Sequence, residues 1–280
     1  MSQQIPPSRE PAEPLRAISL IASDLDGTFL DRESKVSTAN RDAVLLAANL
    51  GIPTIFATGR PVRWLEPLEP VREARPLVIT SNGALVFDLY QNEVVMTFGL
   101  DLSVTADVIA DLHWDMPEAT FAVEYAAGWG RDINYPIPTN QADADVVVEH
   151  PEELLLRDTP IKLLIRNGAP TMDLMCDVEA VVDHRLQITA SWLSSSGFVE
   201  LSHAGVTKGD TLEYLLAELQ IPPYEVAAFG DMLNDLTMLQ LVGHPFVMDG
   251  AHDVLKDYGF PLCGPHDESA FAKTVFSLLG

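Results

Sequence analysis

Short apolar runs alternate with helix-like stretches along the first part of the chain. The runs lie at residues 18–23, Ile52–Phe56 and Leu77–Thr80. Thr38–Leu50 carries apolar residues at helical spacing, and Gly51 follows it as a helix stop. Continuous apolar runs are typical of parallel strands, because such strands are covered on both faces. The order therefore predicts an α/β fold with a Rossmann-like parallel sheet and helices on its faces.

The rhythm changes from about Asp88, where helices and strands form two further groups. We interpret residues 89–193 as an inserted α+β domain, residues 15–88 and 194–280 as the core, and residues 1–14 as a disordered, proline-rich tail. The insert is predicted to contain helices Ser103–Trp114 and Thr171–Val181, strands Thr120–Tyr125, Ile161–Ile165 and Leu186–Ala190, and a loop at Gly128–Thr139.

The last part of the chain is predicted to rebuild the core. Phe198–Leu201 is interpreted as a strand that returns to the first domain, and the amphipathic helix Asp210–Leu219 follows it. The remaining predicted elements are the strands Val226–Phe229 and His244–Met248 and the closing helices Ala251–Lys256 and Glu268–Leu279.

Composition indicates a soluble globular protein. The chain is 47% hydrophobic and 21% charged, and no apolar stretch approaches the ~20 residues that span a bilayer. The polar N-terminus has no apolar signal-peptide core. The only two cysteines, Cys176 and Cys263, form no Cys-x-x-Cys pair, so they are interpreted as idle thiols. This usage fits a reducing cytoplasm, which is the predicted location.

The net charge of −24, from 17 basic and 41 acidic residues, excludes two classes of partner. Nucleic acids need lysine and arginine to displace their counterions, and anionic membrane surfaces also attract basic segments. A small phosphorylated substrate is compatible with this charge only where a local positive site exists. A metal ion together with a lysine would provide one.

Polar residues of catalytic type follow three of the predicted strands. In an open parallel sheet, ligands bind outside the carboxyl ends of the strands, so residues distant in sequence can meet there. The residues concerned are Asp24 and Asp26 after the first run, Thr58 after the second, and Asp231, Asn234 and Asp235 after Val226–Phe229, with Lys208 at the start of a helix.

Each of these residue types suits one part of phosphoryl transfer. Asp24 and Asp231 can offer oxygens to Mg²⁺, and Asp24 can also attack phosphorus as a nucleophile. Asp26 can act as general acid and then general base, a role worth roughly 10²–10⁴-fold in rate. Positioning and charge stabilisation supply the rest of the catalysis. The residues that can hold phosphoryl oxygens are Thr58, the Gly59 N–H, Lys208 and Asn234.

Each piece also has an ordinary structural interpretation. Asp-Gly and Thr-Gly pairs are common in turns, a single lysine is usually solvated, and Gly230–Asp235 could be a capped loop. Their occurrence together, each at a predicted strand end or helix start, favours the catalytic interpretation.

These motifs resemble the haloacid dehalogenase superfamily of phosphatases, and within it the Cof-type subgroup. The Asp-x-Asp-Gly-Thr motif stands at Asp24–Thr28, the strand-end Thr at Thr58, the lysine at Lys208, and Gly-Asp-x-x-Asn-Asp at Gly230–Asp235. The turn Asn82-Gly83-Ala84 and the position of the insert are also similar to this subgroup. The resemblance covers nearly the whole chain after the N-terminal tail.

The resemblance implies a HAD fold in which the insert is a cap domain that closes over the site and selects the substrate. It also implies the role of each motif residue. By resemblance, Asp24 is the nucleophile, Asp26 the acid/base, Asp24, Asp231 and the main-chain carbonyl of Asp26 the Mg²⁺ ligands, Thr58, Lys208 and Asn234 the phosphate-binding residues, and Asp235 a support for the metal site. One loop departs from many relatives, because Met248–Ala251 reads Met-Asp-Gly-Ala where they have Met-Gly-Asn-Ala.

The cap offers weaker signals. Glu124, Trp129, Arg131, Asp132 and Tyr135 are close in sequence. Arg131 is a candidate contact for a second anionic or hydroxyl group of the substrate. The alternative is a solvated arginine beside structural aromatics. The histidines without metal-ligand spacing, interpreted as structural or surface residues, are His113, His184 and His203.

The predicted function is Mg²⁺-dependent hydrolysis of a small phosphomonoester, for example a sugar phosphate, through an aspartyl-phosphate intermediate. Two alternatives stay open at the level of sequence: a phosphosugar mutase of the same superfamily, and a non-catalytic ligand-binding module. The predicted partner is a small phosphorylated metabolite. The sequence leaves the identity of that metabolite and the oligomeric state open.

Overall fold

A computed structural model describes residues 18–137, 146–191 and 193–280. The predicted tail at residues 1–14 and the end of the predicted loop Gly128–Thr139 lie outside these residues. The strands are, in chain order, β1 (Leu20–Ser23), β2 (Thr54–Ala57), β3 (Leu77–Thr80), β4 (Leu85–Asp88), β5 (Glu93–Thr97), β6 (Thr120–Tyr125), β7 (Gly128–Arg131), β8 (Val147–Val148), β9 (Pro160–Arg166), β10 (Gln187–Thr189), β11 (Val199–Ser202), β12 (Val226–Gly230) and β13 (His244–Val247).

Eight α-helices accompany these strands within the described part of the chain, together with several short 3₁₀ turns. The helices are α1 (Thr38–Asn49), α2 (Leu102–Asp115), α3 (Pro151–Leu154), α4 (Thr171–Val182), α5 (Lys208–Leu219), α6 (Leu236–Leu241), α7 (Asp253–Asp257) and α8 (Ala270–Leu279). No described helix is long and apolar enough to cross a bilayer.

The first sheet has the order β13-β12-β1-β2-β3-β4-β5. The strands from β13 to β3 are parallel, and β4 and β5 are antiparallel additions at one edge. Because β1 lies between β12 and β2, the predicted strand ends meet at one edge of the sheet. The predicted α/β fold with a parallel-sheet core is confirmed.

Both faces of the first sheet are buried by helices, which explains the continuous apolar runs. Ile21 of β1 belongs to the cluster with α1 and α8, whereas Leu20 and Ala22 belong to the cluster with α5 and α6. Successive side chains of a strand point to opposite faces, so each run must be apolar at every position.

Four phenylalanines form the centre of the first of these clusters. The Phe29 ring lies 4.6 Å from that of Phe56 and 5.0 Å from that of Phe271. Phe271 also packs edge-on against Phe229 at 4.9 Å. Helix α8 is thereby packed against β12 and the turn that follows β1.

The second sheet has the order β10-β11-β9-β6-β7-β8 and is antiparallel except for the β7–β8 pair. One face packs on α2 and α4 through residues such as Phe121 and Leu163. Side chains that alternate with these, including Glu124, Lys162 and Glu200, point to the opposite face. This second face is polar and buried.

Two sequence predictions about the insert are wrong. The strand predicted at Phe198–Leu201 does not return to the first sheet, because Val199–Ser202 pairs antiparallel with β9 and β10. Part of the predicted loop Gly128–Thr139 is the strand Gly128–Arg131. A short apolar run does not by itself specify which sheet it joins. Two glycines within four residues are untypical of a strand, so the sequence of Gly128–Arg131 did not predict one.

The predicted borders of the insert stay predictions, although sheet membership extends past both of them. At the first border, β5 pairs with β4 in the first sheet, beyond residue 88. At the second, β11 belongs to the second sheet although it follows residue 194. Strand pairing is a long-range property, so local composition does not fix these limits.

We expect Phe271→Ala to lower the free energy of unfolding by about 3–5 kcal/mol, because it leaves a cavity beside the Phe29 and Phe229 rings. Urea denaturation followed by circular dichroism measures this loss. The matched control is Phe276→Ala on the same helix, where the side chain is 40% exposed and the change should be about 0.5 kcal/mol or less. Equal losses in the two variants would contradict the assignment of Phe271 to the core.

Candidate active site

The turn after β1 holds Asp24 at the carboxyl edge of the sheet. The chain reverses over Leu25–Phe29, and the Leu30 N–H donates to the Leu25 carbonyl at 2.8 Å. Gly27 adopts a φ of 77°, and a Cβ there would lie 2.3 Å from Asp231 Oδ2. Only glycine permits both this conformation and the close approach of Asp231.

Lys208 is a buried cation that joins two carboxylates. It is the first residue of α5, whose N-cap Thr207 accepts a hydrogen bond from the Asp210 N–H. The Lys208 ammonium donates to Asp24 Oδ1 and to Asp235 Oδ1, each at 2.6 Å. Burial alone lowers the pKa of Lys208, but the charges of Asp235 and Asp24 outweigh this effect and raise it. The lysine is therefore fully charged at neutral pH.

The loop after β12 presents Asp231 and holds Asp235 behind it. Asp231 Oδ1 accepts a hydrogen bond from the Thr28 hydroxyl at 3.0 Å. Asp235 Oδ2 accepts from the main-chain N–H groups of Asp231 at 3.0 Å and Met232 at 2.9 Å. A Cβ at Gly230 would lie 2.6 Å from the Cβ of Asp235, so glycine is required there. Asp235 has partners on both oxygens and supports the loop.

Three buried carboxylates converge at this edge. Oxygens of Asp24, Asp231 and Asp235 lie within 4.8 Å of one another, and Lys208 is the cation that contacts two of them. Burial, followed by the charge of Asp235, raises the pKa of Asp231 to about 7. Burial also raises the pKa of Asp24, although Lys208 opposes this shift. This excess of buried negative charge fits a divalent cation with oxygen ligands.

Thr58 and Gly59 follow β2 and lie in the same cleft as Asp24. Thr58 is buried, and its hydroxyl accepts a hydrogen bond from the Arg60 N–H at 3.1 Å. The Cβ that Gly59 lacks would lie 2.4 Å from Ser191 Oγ, a residue of the insert. The absence of a side chain at Gly59 therefore allows the insert to approach the strand end closely.

Arg60 is a site residue to which the sequence analysis gave no role. Its guanidinium donates from Nε to Asp26 Oδ2 at 2.7 Å and from Nη2 to Asp26 Oδ1 at 2.5 Å. The same group contacts the Ser34 hydroxyl and the Trp64 carbonyl. Asp26 is half exposed, and both of its carboxylate oxygens are bound by this guanidinium. The sequence contained no signal for this pairing beyond the position of Arg60 in Thr-Gly-Arg.

Asn82 connects the loop after β12 to the insert. This buried residue has a left-handed φ of 58°, and its Oδ1 accepts from Asn234 Nδ2 at 3.0 Å. Asn82 Nδ2 donates to Glu200 Oε2 at 2.9 Å and also to hydroxyls of Thr189 and Ser191. This Asn-Gly-Ala turn is recognisable in the sequence, but its contacts are not.

A cleft of about 590 Å³ lies between the two sheets and contains the predicted site residues Asp24, Asp26, Thr58, Gly59 and Asn234. Asp231, Asp235 and Lys208 lie behind its floor, in contact with Asp24 or with one another. The insert contributes the other wall, formed by Glu124, Trp129, Tyr135, Lys162, Leu164, Arg166, Ser191, Phe198 and Glu200.

Arg131, the candidate substrate contact, does not line this cleft. Its guanidinium donates to the main-chain carbonyls of Asp132 at 2.9 Å and Ile133 at 3.1 Å. The arginine of the insert that lines the cleft is Arg166, at the end of β9. Sequence spacing brought Arg131 close to the aromatic residues but could not show on which face of the sheet it lies.

The three histidines His113, His184 and His203 lie outside the cluster of acidic residues. The His113 ring packs edge-on against Phe121 at 4.8 Å within the insert. His203 is exposed, and its Nδ1 lies 2.8 Å from the Ala204 carbonyl. His184 has a φ of 62° after α4. None of them belongs to the carboxylate cluster of the described residues.

Comparison with known proteins identifies the family. A sequence model described as haloacid dehalogenase-like hydrolase matches residues 21–275. Phosphatase YwpJ of Bacillus subtilis (strain 168) is 27% identical over an alignment of 295 positions that covers 94% of this chain and 100% of that protein. An HMP-PP phosphatase of Yersinia pseudotuberculosis is 26% identical over 249 residues, covering 85% of this chain and 86% of that protein.

The fold has solved counterparts. The phosphatase BT1666 from Bacteroides thetaiotaomicron superposes with a TM-score of 0.79 at 23% identity, covering 96% of this chain and 98% of that one. At that identity the superposition supports the fold alone. Together with the family match, it places the chain in the haloacid dehalogenase-like hydrolase family. The prediction of a phosphatase of this family is confirmed, and a non-catalytic module finds no support.

We expect Lys208→Met to lower the free energy of unfolding by about 3 kcal/mol at pH 8, because two buried carboxylates lose their cation. The loss should shrink at lower pH. Removing the ammonium removes the group that lowers the pKa of Asp24, so the folded variant binds more protons at this carboxylate and loses stability as pH rises.

Urea titrations at pH 5.5 and pH 8, in the presence of a chelator, measure this difference. Lys273→Met is the matched control, since Lys273 forms an exposed pair with Glu268 and exposed pairs contribute little. A loss for Lys208→Met that is independent of pH would contradict the electrostatic explanation.

Proposed function

We propose that this member of the haloacid dehalogenase-like hydrolase family is a Mg²⁺-dependent phosphatase that hydrolyses a small phosphomonoester through an aspartyl-phosphate on Asp24. The observation that carries the proposal is the environment of Asp24. Its carboxylate is buried at the floor of the cleft, held by Lys208 at 2.6 Å, and within 4.8 Å of two further carboxylates. A turn with a purely structural role would not require a buried lysine and three converging carboxylates.

The residues that would hold Mg²⁺ are Asp24, Asp231 and the main-chain carbonyl of Asp26. The ion, when bound, would offset the charge of the carboxylates and of a phosphoryl group. Asp235 would keep Asp231 in place through its hydrogen bonds to the loop N–H groups. This ligand set is of the oxygen type that Mg²⁺ favours.

The proposed chemistry has two steps. In the first, an Asp24 oxygen forms a bond to phosphorus while the bond from phosphorus to the leaving oxygen breaks, and Asp26 donates a proton to that oxygen. In the second, Asp26 removes a proton from water as the water oxygen attacks phosphorus. The acyl phosphate bond breaks, which releases inorganic phosphate and restores the Asp24 carboxylate.

Asp26 must leave Arg60 before it takes part. Both of its oxygens are held by the Arg60 guanidinium in the structure, at the mouth of the cleft. Rotation of the Asp26 side chain would direct it towards the leaving group. The hydrogen bonds from Arg60 thus set the starting position of the Asp26 carboxylate.

The phosphoryl group would be held by the residues that surround Asp24. Lys208 already contacts Asp24, and Thr58, Gly59 and Asn234 line the floor of the cleft. Asn234 Nδ2 donates one N–H to Asn82 Oδ1 at 3.0 Å, and its second N–H could donate to a phosphoryl oxygen. Preorganised donors of this kind are the main source of catalysis in phosphoryl transfer.

The cleft volume of about 590 Å³ suits a small metabolite. One relative is named for the hydrolysis of HMP-PP, which is consistent with a small phosphorylated substrate here. A sugar phosphate is the example that the sequence analysis gave. The negative net charge and the absence of a membrane-crossing helix among the described residues agree with action on a dissolved metabolite, and a cytoplasmic location stays a prediction.

We expect Asp24→Asn to lower kcat/KM by about 10⁴-fold or more, because the nucleophile is lost. Asp26→Asn should lower it by roughly 10²–10⁴-fold, since only proton transfer is lost. Phosphate release from acetyl phosphate and from 4-nitrophenyl phosphate with Mg²⁺ measures both. Asp24→Asn should also fail to form a phosphoenzyme in a rapid-quench experiment. Full activity in Asp24→Asn would refute the proposal.

We expect Mg²⁺ to raise the melting temperature by ~5 °C at pH 8 and much less at pH 5.5. The pKa of Asp231 is raised from 3.8 to about 7, so the metal-free enzyme loses stability as pH rises through that range. Below pH 7 a proton competes with the ion for this ligand.

Differential scanning fluorimetry with and without Mg²⁺ measures this shift. Asp231→Asn should remove the response to Mg²⁺, whereas Asp257→Asn, a change at an exposed position of α7, should retain it. A response that is equal at both pH values would argue against Asp231 as a ligand.

A further inference from the structure

The acidic side chains that line the insert wall of the cleft are already occupied. Glu200 accepts from the Lys162 ammonium at 2.6 Å on one oxygen, and from Asn82 at 2.9 Å and the Ser191 hydroxyl on the other. Glu124 pairs with Arg63 at 3.0 Å through Oε1 and accepts from the Ser81 hydroxyl at 3.2 Å through Oε2. All four carboxylate oxygens therefore have partners.

The basic groups beside them are equally engaged. Lys162 is buried between Glu200 and Glu124 and also lies 3.3 Å from the Gly59 carbonyl. Arg63 is paired with Glu124, and Arg60 with Asp26. A sugar would need several free donors and acceptors at this wall, because each buried hydroxyl without a partner has a desolvation cost. This network offers few.

The remainder of the insert wall has a different chemistry. Trp129, Tyr135, Phe198 and Arg166 line it together, and we call these four residues the ring site. The Trp129 and Tyr135 rings meet edge to face at 6.5 Å. The Arg166 guanidinium lies 4.9 Å from the Phe198 ring centroid and 5.7 Å from that of Tyr135. Such surfaces bind flat rings by stacking and edge contacts.

Arg166 is the charged member of the ring site. Its Nε donates to the Tyr135 hydroxyl and its Nη1 to the Ser196 carbonyl, each at 3.3 Å. Among the residues that the structure describes, Arg166 has no carboxylate within ion-pair distance, unlike the other three cations of the cleft. Its contacts fix the plane of the guanidinium, and no carboxylate of the described residues pairs with its charge. A fixed guanidinium of this kind suits an anionic or carbonyl oxygen.

We propose that the ring site selects a substrate whose leaving group is a flat aromatic or heteroaromatic ring that carries an anionic or carbonyl oxygen for Arg166. The substrate class would then be the phosphate ester of a ring-bearing alcohol, with the ester at Asp24 and the ring at the insert wall. This inference rests on the proposed phosphatase function, since both ends of the cleft must act on one molecule.

The substrate test compares esters that differ only in the leaving group. Benzyl phosphate, its 3- and 4-carboxy derivatives and glucose 6-phosphate are assayed for phosphate release with Mg²⁺. We expect at least one carboxybenzyl ester to exceed glucose 6-phosphate in kcat/KM by about 10-fold or more, the combined effect of ring contacts and one charged hydrogen bond. A higher kcat/KM for glucose 6-phosphate than for every aromatic ester would overturn the proposal.

Two variants test the residues themselves. Arg166→Met should lower kcat/KM for the best carboxybenzyl ester by about 10- to 100-fold while changing that for benzyl phosphate little, and Arg166→Lys should restore part of the loss. Trp129→Ala should lower kcat/KM for both aromatic esters by about 10-fold. Arg157→Met is the matched control, because Arg157 forms an exposed pair with Glu149 away from the cleft.

Acetyl phosphate distinguishes a failure of the phosphatase function from a failure of the ring site, since it is too small to reach the ring site. Turnover of acetyl phosphate with no preference among the larger esters would leave the phosphatase function intact and refute the ring site. Failure with every ester would refute the phosphatase function. In that case the Asp24→Asn variant still tests the ring site, because calorimetry with 3-carboxybenzyl phosphonate should show binding that Arg166→Met weakens. Equal loss for all esters in Arg166→Met would indicate a structural role only.

Discussion

The balance of buried charge around Lys208 is the constraint on which the catalytic edge depends. One ammonium group compensates Asp24 and Asp235 directly, and Asp231 is left with a carboxylate that burial makes costly to ionise. The glycines at 27 and 230 exist because carboxylates approach their backbones closely. A cation bound here would compensate the remaining negative charge, so this edge of the sheet favours the binding of a cation.

A second set of buried charges determines how the insert meets the core. Lys162, Glu124 and Glu200 project from one face of the second sheet and contact Asn82 and the main chain at Gly59. Buried polar networks are directional, so they favour one arrangement of the two sheets over neighbouring ones. As a consequence, few hydrogen-bond donors and acceptors of this wall remain free for ligand hydroxyls. In our proposal the ring site therefore recognises the substrate.

The sequence was sufficient to predict the core and the proximity of the motif residues at one sheet edge, because both depend on local pattern. Apolar runs reveal strands buried on both faces, and strand-end carboxylates in parallel order must share one edge. It was insufficient where pairing is non-local. The strand Val199–Ser202 pairs within the second sheet. Arg166, and not Arg131, lines the cleft, and Arg60 is the partner of Asp26. Nothing in the spacing of these residues encodes the face or partner that each one takes.

The position of β1 inside its sheet has a consequence for how the protein is made on the ribosome. Strand β1 emerges about 200 residues before one of its two neighbours, β12, which begins at Val226. The second sheet, by contrast, is built from a continuous stretch that ends at Ser202. During translation the insert can therefore fold first, while β1 keeps an open edge until the C-terminal part arrives. Open edges invite wrong pairing, so the nascent chain is most vulnerable to aggregation in that interval.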